Sequence, residues 1–234
     1  HKALKGFRFD SFEDLEEIED IILKYDNTER LEKVGGNVIL ALEYAMLRAA
    51  SANNVWSFLN SSADSLPTPL GNCIGGGKHS STESIDFQEV LFIPHGETYS
   101  ESEFINRRLF RQIADDLKPV SRSYTGGWVV NQDHANLLRY LGELRQEVFK
   151  TFGIHVGLGI DVAGSHMFSG KNYFYRKGTL DRESHVKYLN ALTNTFSVDY
   201  IEDPLEEHDH EGLRMIKGQT VCGDDLVCTQ LPLL

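Results

Sequence analysis

The sequence predicts an α/β protein, part of a (β/α) barrel preceded by the helical part of a small α+β domain. Three observations carry this. From Leu66 onward, short apolar runs alternate with longer segments of helical spacing, the pattern of βα units that build a parallel sheet. Three of those runs end in acid: Val156, Leu158 and Ile160 lead into Asp161, Val198–Ile201 into Glu202-Asp203-Pro204, and Thr220–Cys222 into Gly223-Asp224-Asp225. A strand covered on both faces reads as a nearly continuous apolar run, and acids at the carboxyl ends of such strands stand where parallel α/β folds place their active sites. The third observation is a Ser- and Pro-rich stretch, Asn60–Pro69, which reads as a linker and separates residues 1–65 from residues 66–234.

In the first part, Ser11-Phe12-Glu13-Asp14 resembles a capping box, and Phe12, Leu15, Ile18 and Ile22 keep helical spacing behind it. That helix ends near Asp26-Asn27. Gly35-Gly36-Asn37 starts a second helix, Val38 to about Ala52, which is apolar nearly all round and is therefore expected to be buried. In the second part, Pro69–Ile74 and Glu89–Ile93 read as strands. Ser100-Glu101-Ser102-Glu103 caps a helix carrying Phe104, Ile105, Leu109, Ile113 and Leu117, and another helix spans about Asp133–Phe152. Strand Val156–Ile160 follows, then a short excursion at Asn172–Tyr175 and a helix capped by Asp181. Strand Val198–Ile201, a helix around Leu205–Ile216 and strand Gln219–Cys222 finish the series. These make five barrel-type strands, whereas a closed barrel needs about eight in roughly 250 residues. A half barrel leaves raw parallel edges. Either the chain is a piece of a longer protein or something else covers those edges, and its opening at His1 without Met suggests an N-terminus that is not the natural one.

Composition narrows the chemistry. At 234 residues, 41% hydrophobic and 25% charged, the chain can bury a sizeable core. A net charge of −12 argues against nucleic acid, and it suits an anionic substrate only where bound metal reverses the local sign. Cys73, Cys222 and Cys228 are odd in number and lack metal-site spacing, which suggests reduced thiols in a cytoplasmic protein. No apolar run reaches membrane-spanning length, and no signal-type segment precedes the first helix.

Asp161, Glu202 and Asp224 form the strongest constellation. Any one of them is an ordinary solvated acid, but three in register at successive strand ends make an oxygen-rich seat for Mg²⁺. By strand alternation Asp203 and Asp225 point to the opposite side and serve as supporting or structural acids. Gly75-Gly76-Gly77-Lys78-His79 is a glycine-rich loop after a strand, equally a plain turn and a mobile cover over an anion. Ile85-Asp86-Phe87-Gln88-Glu89 follows, with Glu89 opening the next strand. Arg122–Trp128 reads as a turn, the acidic run Glu206–Glu211 as a solvated helix face, and His155, His166, His185, His208 and His210 as surface residues.

Taken together, G-N-C-I-G-G-G-K-H, D-F-Q-E, G-I-D-V-A-G-S, Y-I-E-D-P and C-G-D-D-L resemble enolase (phosphopyruvate hydratase) in order and spacing. Lys33–Ala50 resembles that family's K-x-G-x-N-A-I-L-x-x-S helix, and the variants look most like archaeal enolases. The resemblance implies an enolase-type barrel whose second half, with its lysine base and later His, Arg and Ser substrate contacts, lies on strands beyond Leu234. It places the family's Mg²⁺ ligands on Asp161, Glu202 and Asp224, with one or two ions left open. His79, with Gly76, Gly77 and Lys78, falls on a mobile loop closing on substrate, and Glu89 beside the leaving hydroxyl. It implies dehydration of 2-phosphoglycerate to phosphoenolpyruvate by a cytoplasmic homodimer. Two segments depart from the pattern. Thr125, in Ser123-Tyr124-Thr125-Gly126-Gly127, stands where a G-D-E-G-G loop carries its glutamate, and Gly164-Ser165-His166 replaces A-S-E. Thr125 therefore leaves a second expectation open, a catalytically impaired homologue that binds or supports structure.

Overall fold

The computed structural model describes residues 4–28, 31–80 and 84–228. The chain divides into two compact units, His1–Leu66 and Pro67–Leu234.

The first unit holds α1 (Asp14–Asp26), α2 (Gly36–Ala50) and α3 (Val55–Leu59). No capping box forms at Ser11. Instead the Asp14 carboxylate accepts the backbone N–H groups of Asp10 at 2.7 Å and Ser11 at 2.8 Å, and Glu13 is already helical. The helix stops at Asn27, which takes the left-handed conformation suited to a terminus. Buried Asp26 then ties the turn into α2 by accepting the N–H groups of Lys33 and Val34. The expectation of a buried α2 fails: Leu47 is buried, but Val38, Leu40 and Tyr44 are exposed. Within its unit α2 packs on α1 and α3, and two neighbours cover only one stripe of a helix that is apolar all round.

The second unit is built on a seven-stranded sheet. In chain order it contains β1 (Gly71–Gly75), β2 (Glu89–Pro94), α4 (Tyr99–Leu117), β3 (Ser121–Arg122), β4 (Trp128–Val129), α5 (His134–Phe152) and β5 (Val156–Asp161). There follow α6 (Gly164–Met167), β6 (Phe168–Ser169), β7 (Asn172–Tyr175), β8 (Gly178–Asp181), α7 (Arg182–Phe196), β9 (Tyr200–Glu202), α8 (His210–Leu213) and β10 (Thr220–Cys222). The main sheet runs β10-β9-β5-β2-β1-β4-β3, open at both ends, and β6, β7 and β8 form a small separate sheet.

The sheet is mixed rather than purely parallel. β5, β9 and β10 are parallel, but β2 runs antiparallel to both β1 and β5. The reason is the connection. A parallel return needs a crossover, usually a helix, and the link from β1 to β2 carries only a single 3₁₀ turn, Gly77–His79, among its described residues. It therefore closes as a hairpin.

The helices pack as their periodicity demands. Ile105, Leu109 and Ile113 of α4, Leu137, Leu141 and Leu144 of α5, and Val186, Leu189 and Leu192 of α7 are buried. They join one core with Phe92, Leu158, Ile160 and Ile201 from the strands, each fully buried aliphatic contributing about 1.5–3 kcal/mol over an exposed one. The cap of α4 lies slightly upstream of expectation: Thr98 and Glu101 form a complete capping box. Asp133 and Asp181 cap α5 and α7 through side-chain bonds to Asn136 and Ser184. The helix expected over Leu205–Ile216 shrinks to His210–Leu213. Residues ahead of it are held as loop instead: Glu206 donates its N–H to Tyr173 Oη, and Asp209 pairs with Arg182. No helix among the described residues is long and apolar enough to cross a membrane.

Candidate active site

One cross-strand row defines the site. Gly75 of β1 pairs with Glu89 of β2, Glu89 with Asp161 of β5, Asp161 with Glu202 of β9, and Glu202 with Cys222 of β10. The antiparallel β2 makes this row possible. Three parallel strands bring their last residues to one sheet edge, and β2 brings its first residue, Glu89, to the same edge.

The acids are crowded. Oxygens of Asp161, Glu202 and Asp203 lie within 4.8 Å of one another, as do those of Asp203, Asp224 and Asp225. The expected trio Asp161, Glu202 and Asp224 is thus drawn as two overlapping groups, with Asp203 common to both. Strand alternation had placed Asp203 on the far side. It fails there because β9 ends at Glu202 and Asp203 adopts a left-handed φ of 39°, which turns its buried side chain back to the row. Asp203 Oδ1 accepts the Asp224 N–H at 3.0 Å and the Leu226 N–H at 3.4 Å, and Oδ2 accepts the Asp225 N–H at 2.8 Å. This one carboxylate therefore shapes the whole G-D-D-L turn.

Burial of like charges is expensive, and the carboxyl groups register it. Burial first, and the neighbouring Glu202 charge next, push the Asp161 pKa up to about 8. Glu202 is raised by burial and by Asp203 and Asp224, against a hydrogen bond from Tyr200 Oη at 2.7 Å that pulls it down. Asp203 is raised by burial, opposed by the backbone N–H groups it accepts. Among the described residues no Lys or Arg lies within ion-pair distance of Asp161, Glu202, Asp203 or Asp224. A dense all-oxygen donor set fits a hard divalent ion. Asp161 is prepared for one: Oδ1 accepts the Ala163 N–H at 2.9 Å and Oδ2 accepts Gln88 Nε2–H at 3.0 Å, leaving each oxygen a further lone pair.

The glycine-rich loop lies beside the row. Gly76 and Gly77 donate their N–H groups to Gln88 O and Ile85 O, each at 2.9 Å. A Cβ on Gly76 would come within 2.5 Å of Phe87 O, so only glycine lets the two segments touch. Lys78 is exposed, and His79 Nδ1 lies 3.7 Å from Glu89 Oε1 with no hydrogen-bond partner among the described residues. Thr125 is exposed in the turn between β3 and β4, its Oγ1 accepting Asn72 Nδ2–H at 3.0 Å and lying 3.3 Å from Ser123 Oγ.

Two residues carry more than the sequence reading gave them. His185, expected at the surface, is fully buried, stacked on Tyr173 with ring centroids 3.7 Å apart. Its Nε2 lies 2.7 Å from Pro204 O and its Nδ1 2.8 Å from Tyr175 Oη; the carbonyl can only accept, so Nε2 donates and Nδ1 accepts. It thereby fixes the backbone just after Glu202-Asp203. Its spacing with Leu189 and Leu192 on α7 was a readable signal for an inward face. Gln88, present within D-F-Q-E, bridges Asp161 and His166, whose Nδ1 lies 3.0 Å from Gln88 Oε1.

Fold and site define an open (β/α)-barrel protein with an acidic cluster at the end of the sheet where barrel enzymes carry out their chemistry. A family model described as enolase, C-terminal TIM barrel domain, matches residues 63–234. The chain is 31% identical to the enolase of Archaeoglobus fulgidus, over 97% of this chain and 59% of that protein. It is 32% identical to the enolase of Pyrobaculum aerophilum, over 87% of this chain and 53% of that protein. It is also 32% identical to the enolase of Methanocorpusculum labreanum, over 90% of this chain and 57% of that protein. The chain belongs to the enolase family, and it spans a little over half the length of the curated relatives it matches.

Proposed function

We propose that this chain supplies the metal-binding part of an enolase active site, which dehydrates 2-phosphoglycerate to phosphoenolpyruvate and water with Mg²⁺. The cross-strand row Glu89–Asp161–Glu202 carries the reading, with Asp224 entering through the turn shaped by Asp203. Asp161, Glu202 and Asp224 would hold the ion, and Asp203 would hold their backbone in place. Removing a proton α to a carboxylate creates a dianion, and bound Mg²⁺ supplies the concentrated positive charge that makes it accessible.

The chain's own residues take the remaining tasks. His79, on the loop of Gly76, Gly77 and Lys78, reaches the substrate. Glu89, next to Asp161 in the row, stands beside the leaving hydroxyl, whose departure a general acid must assist. The residue that removes the α-proton is not among those assigned. Residues 1–65 are taken as the helical remainder of the N-terminal domain, and a cytoplasmic homodimer completes the reading. The test is phosphoenolpyruvate formation from 2-phosphoglycerate by the intact protein with Mg²⁺. Folded protein that binds Mg²⁺ and releases no product sinks the proposal.

Thr125 supports a second reading, a homologue with impaired catalysis. Its hydroxyl is engaged by Asn72 and Ser123, and it cannot donate a proton near neutral pH. Loss of a general acid costs about 10²–10⁴ in rate. A Thr125→Glu variant that gains activity over a feeble wild type favours this reading, whereas a wild type at full rate removes it.

A further inference from the structure

We infer that His166 is a positioning residue: it fixes which way the Gln88 amide faces and so keeps Asp161 ready to grip a cation. The inference rests on the reading of Asp161 as a metal ligand and extends it outward by two side chains. Gln88 lies between Asp161 and His166. Its Nε2 is 3.0 Å from Asp161 Oδ2, and its Oε1 is 3.0 Å from His166 Nδ1. A carboxamide offers donors at one end and only an acceptor at the other, so the polarity of the whole chain is set by its ends.

At the inner end, an oxygen serving a cation carries no proton and can only accept. The amide must then present its NH₂ to Asp161 and its Oε1 to His166, and His166 Nδ1 must be a donor. The reversed amide would set Oε1 against Asp161 Oδ2, two acceptors facing one another, unless that oxygen kept a proton and so lost the cation. Without a donor at position 166 the amide is oriented from the Asp161 end alone, and Oε1 keeps no side-chain partner of its own among the described residues. The backbone around the amide is rigid: Gln88 N–H donates to Asp161 O at 2.9 Å and Gln88 O accepts the Gly76 N–H at 2.9 Å. The side-chain amide is therefore the one adjustable joint. His166 itself is exposed at the rim of a cavity of about 280 Å³ bounded by Lys78, Phe174 and Arg176, so replacing it empties no core.

The experiment measures Mg²⁺ affinity of the intact protein by titration calorimetry, for wild type, His166→Ala and His166→Asn. Asn is the informative control because its Nδ2 occupies nearly the place of the imidazole Nδ1 and donates. Removing an orienting partner of a metal ligand typically costs 10–100-fold in affinity. His166→Ala is expected to weaken Mg²⁺ binding by at least about 10-fold, with His166→Asn restoring it to within about 3-fold of wild type. A second readout needs no metal. The Gln88 side-chain NH₂ resonances should lose their protection from solvent exchange in His166→Ala and keep it in His166→Asn. Equal affinity in all three proteins, or an Ala defect that Asn does not repair, overturns the inference. If wild type binds no Mg²⁺, the metal reading falls. Unchanged Gln88 resonances in His166→Ala would then remove the positioning role as well, and altered ones would uphold it.

Discussion

Asp161 shows most directly what the acidic row costs in stability. Its folded pKa of about 8 lies above the unfolded value of 3.8, so the folded protein binds more protons than the unfolded one between those values. Stability without metal therefore falls as pH rises from about 4 to 8, by up to roughly 1.4 kcal/mol per pH unit. Asp161→Asn should be more stable than wild type at pH 8 in chelator and should lose all Mg²⁺-dependent stabilisation. Denaturant unfolding at several pH values checks both, and a variant less stable than wild type at pH 8 would contradict the first. His185 has the opposite sign. Burial lowers its pKa from 6.5 to about 4, so its contribution is complete above pH 6.5 and is lost as pH falls toward 4. The loss is about 1.4 kcal/mol per pH unit and roughly 3 kcal/mol in all. Proton resonance titration of the folded protein checks this, and an ordinary midpoint near 6.5 for His185 would refute it.

At the scale of elements, caps and close approaches decide where the site residues stand. Thr98 and Glu101 satisfy N–H groups at the start of α4, and Thr98→Ala should cost about 1 kcal/mol without altering Mg²⁺ affinity. Gly164, at the start of α6, is different. A Cβ there would meet the Leu205 backbone at 2.5 Å, and Gly164 also donates its N–H to Asp203 O at 2.8 Å. Gly164→Ala should therefore destabilise by about 1–3 kcal/mol and, unlike Thr98→Ala, should weaken Mg²⁺ binding, because the E-D-P loop must shift. Melting curves with and without Mg²⁺ separate the two cases. Equal Mg²⁺ responses in both variants would mean that Gly164 is not coupled to the acids.

For the whole molecule, the acidic row leaves the protein under internal repulsion that a bound cation would relieve. Mg²⁺ at 100 times its dissociation constant should raise unfolding stability by about 2.7 kcal/mol, and Ca²⁺ or Mn²⁺ can be compared in the same thermal assay. A melting temperature indifferent to divalent ions would remove the metal from the account. Much of this architecture was legible beforehand. The three strand ends, the helices behind them and the cap at Asp181 were read from apolar periodicity and local chemistry, and the order of the motifs from their resemblance to the enolase family. The hairpin between β1 and β2, the exposed face of α2, the loop from Pro204 to Asp209 and buried His185 were not.

The sequence by itself determined which residues make strands and helices and which acids end the strands, because those features follow from spacing within a few positions along the chain. Tertiary structure alone decided the direction of β2, the return of Asp203 to the row and the chain from His166 through Gln88 to Asp161. Each of these depends on groups far apart in sequence, joined by hydrogen bonds and burial that exist only once the sheet has formed.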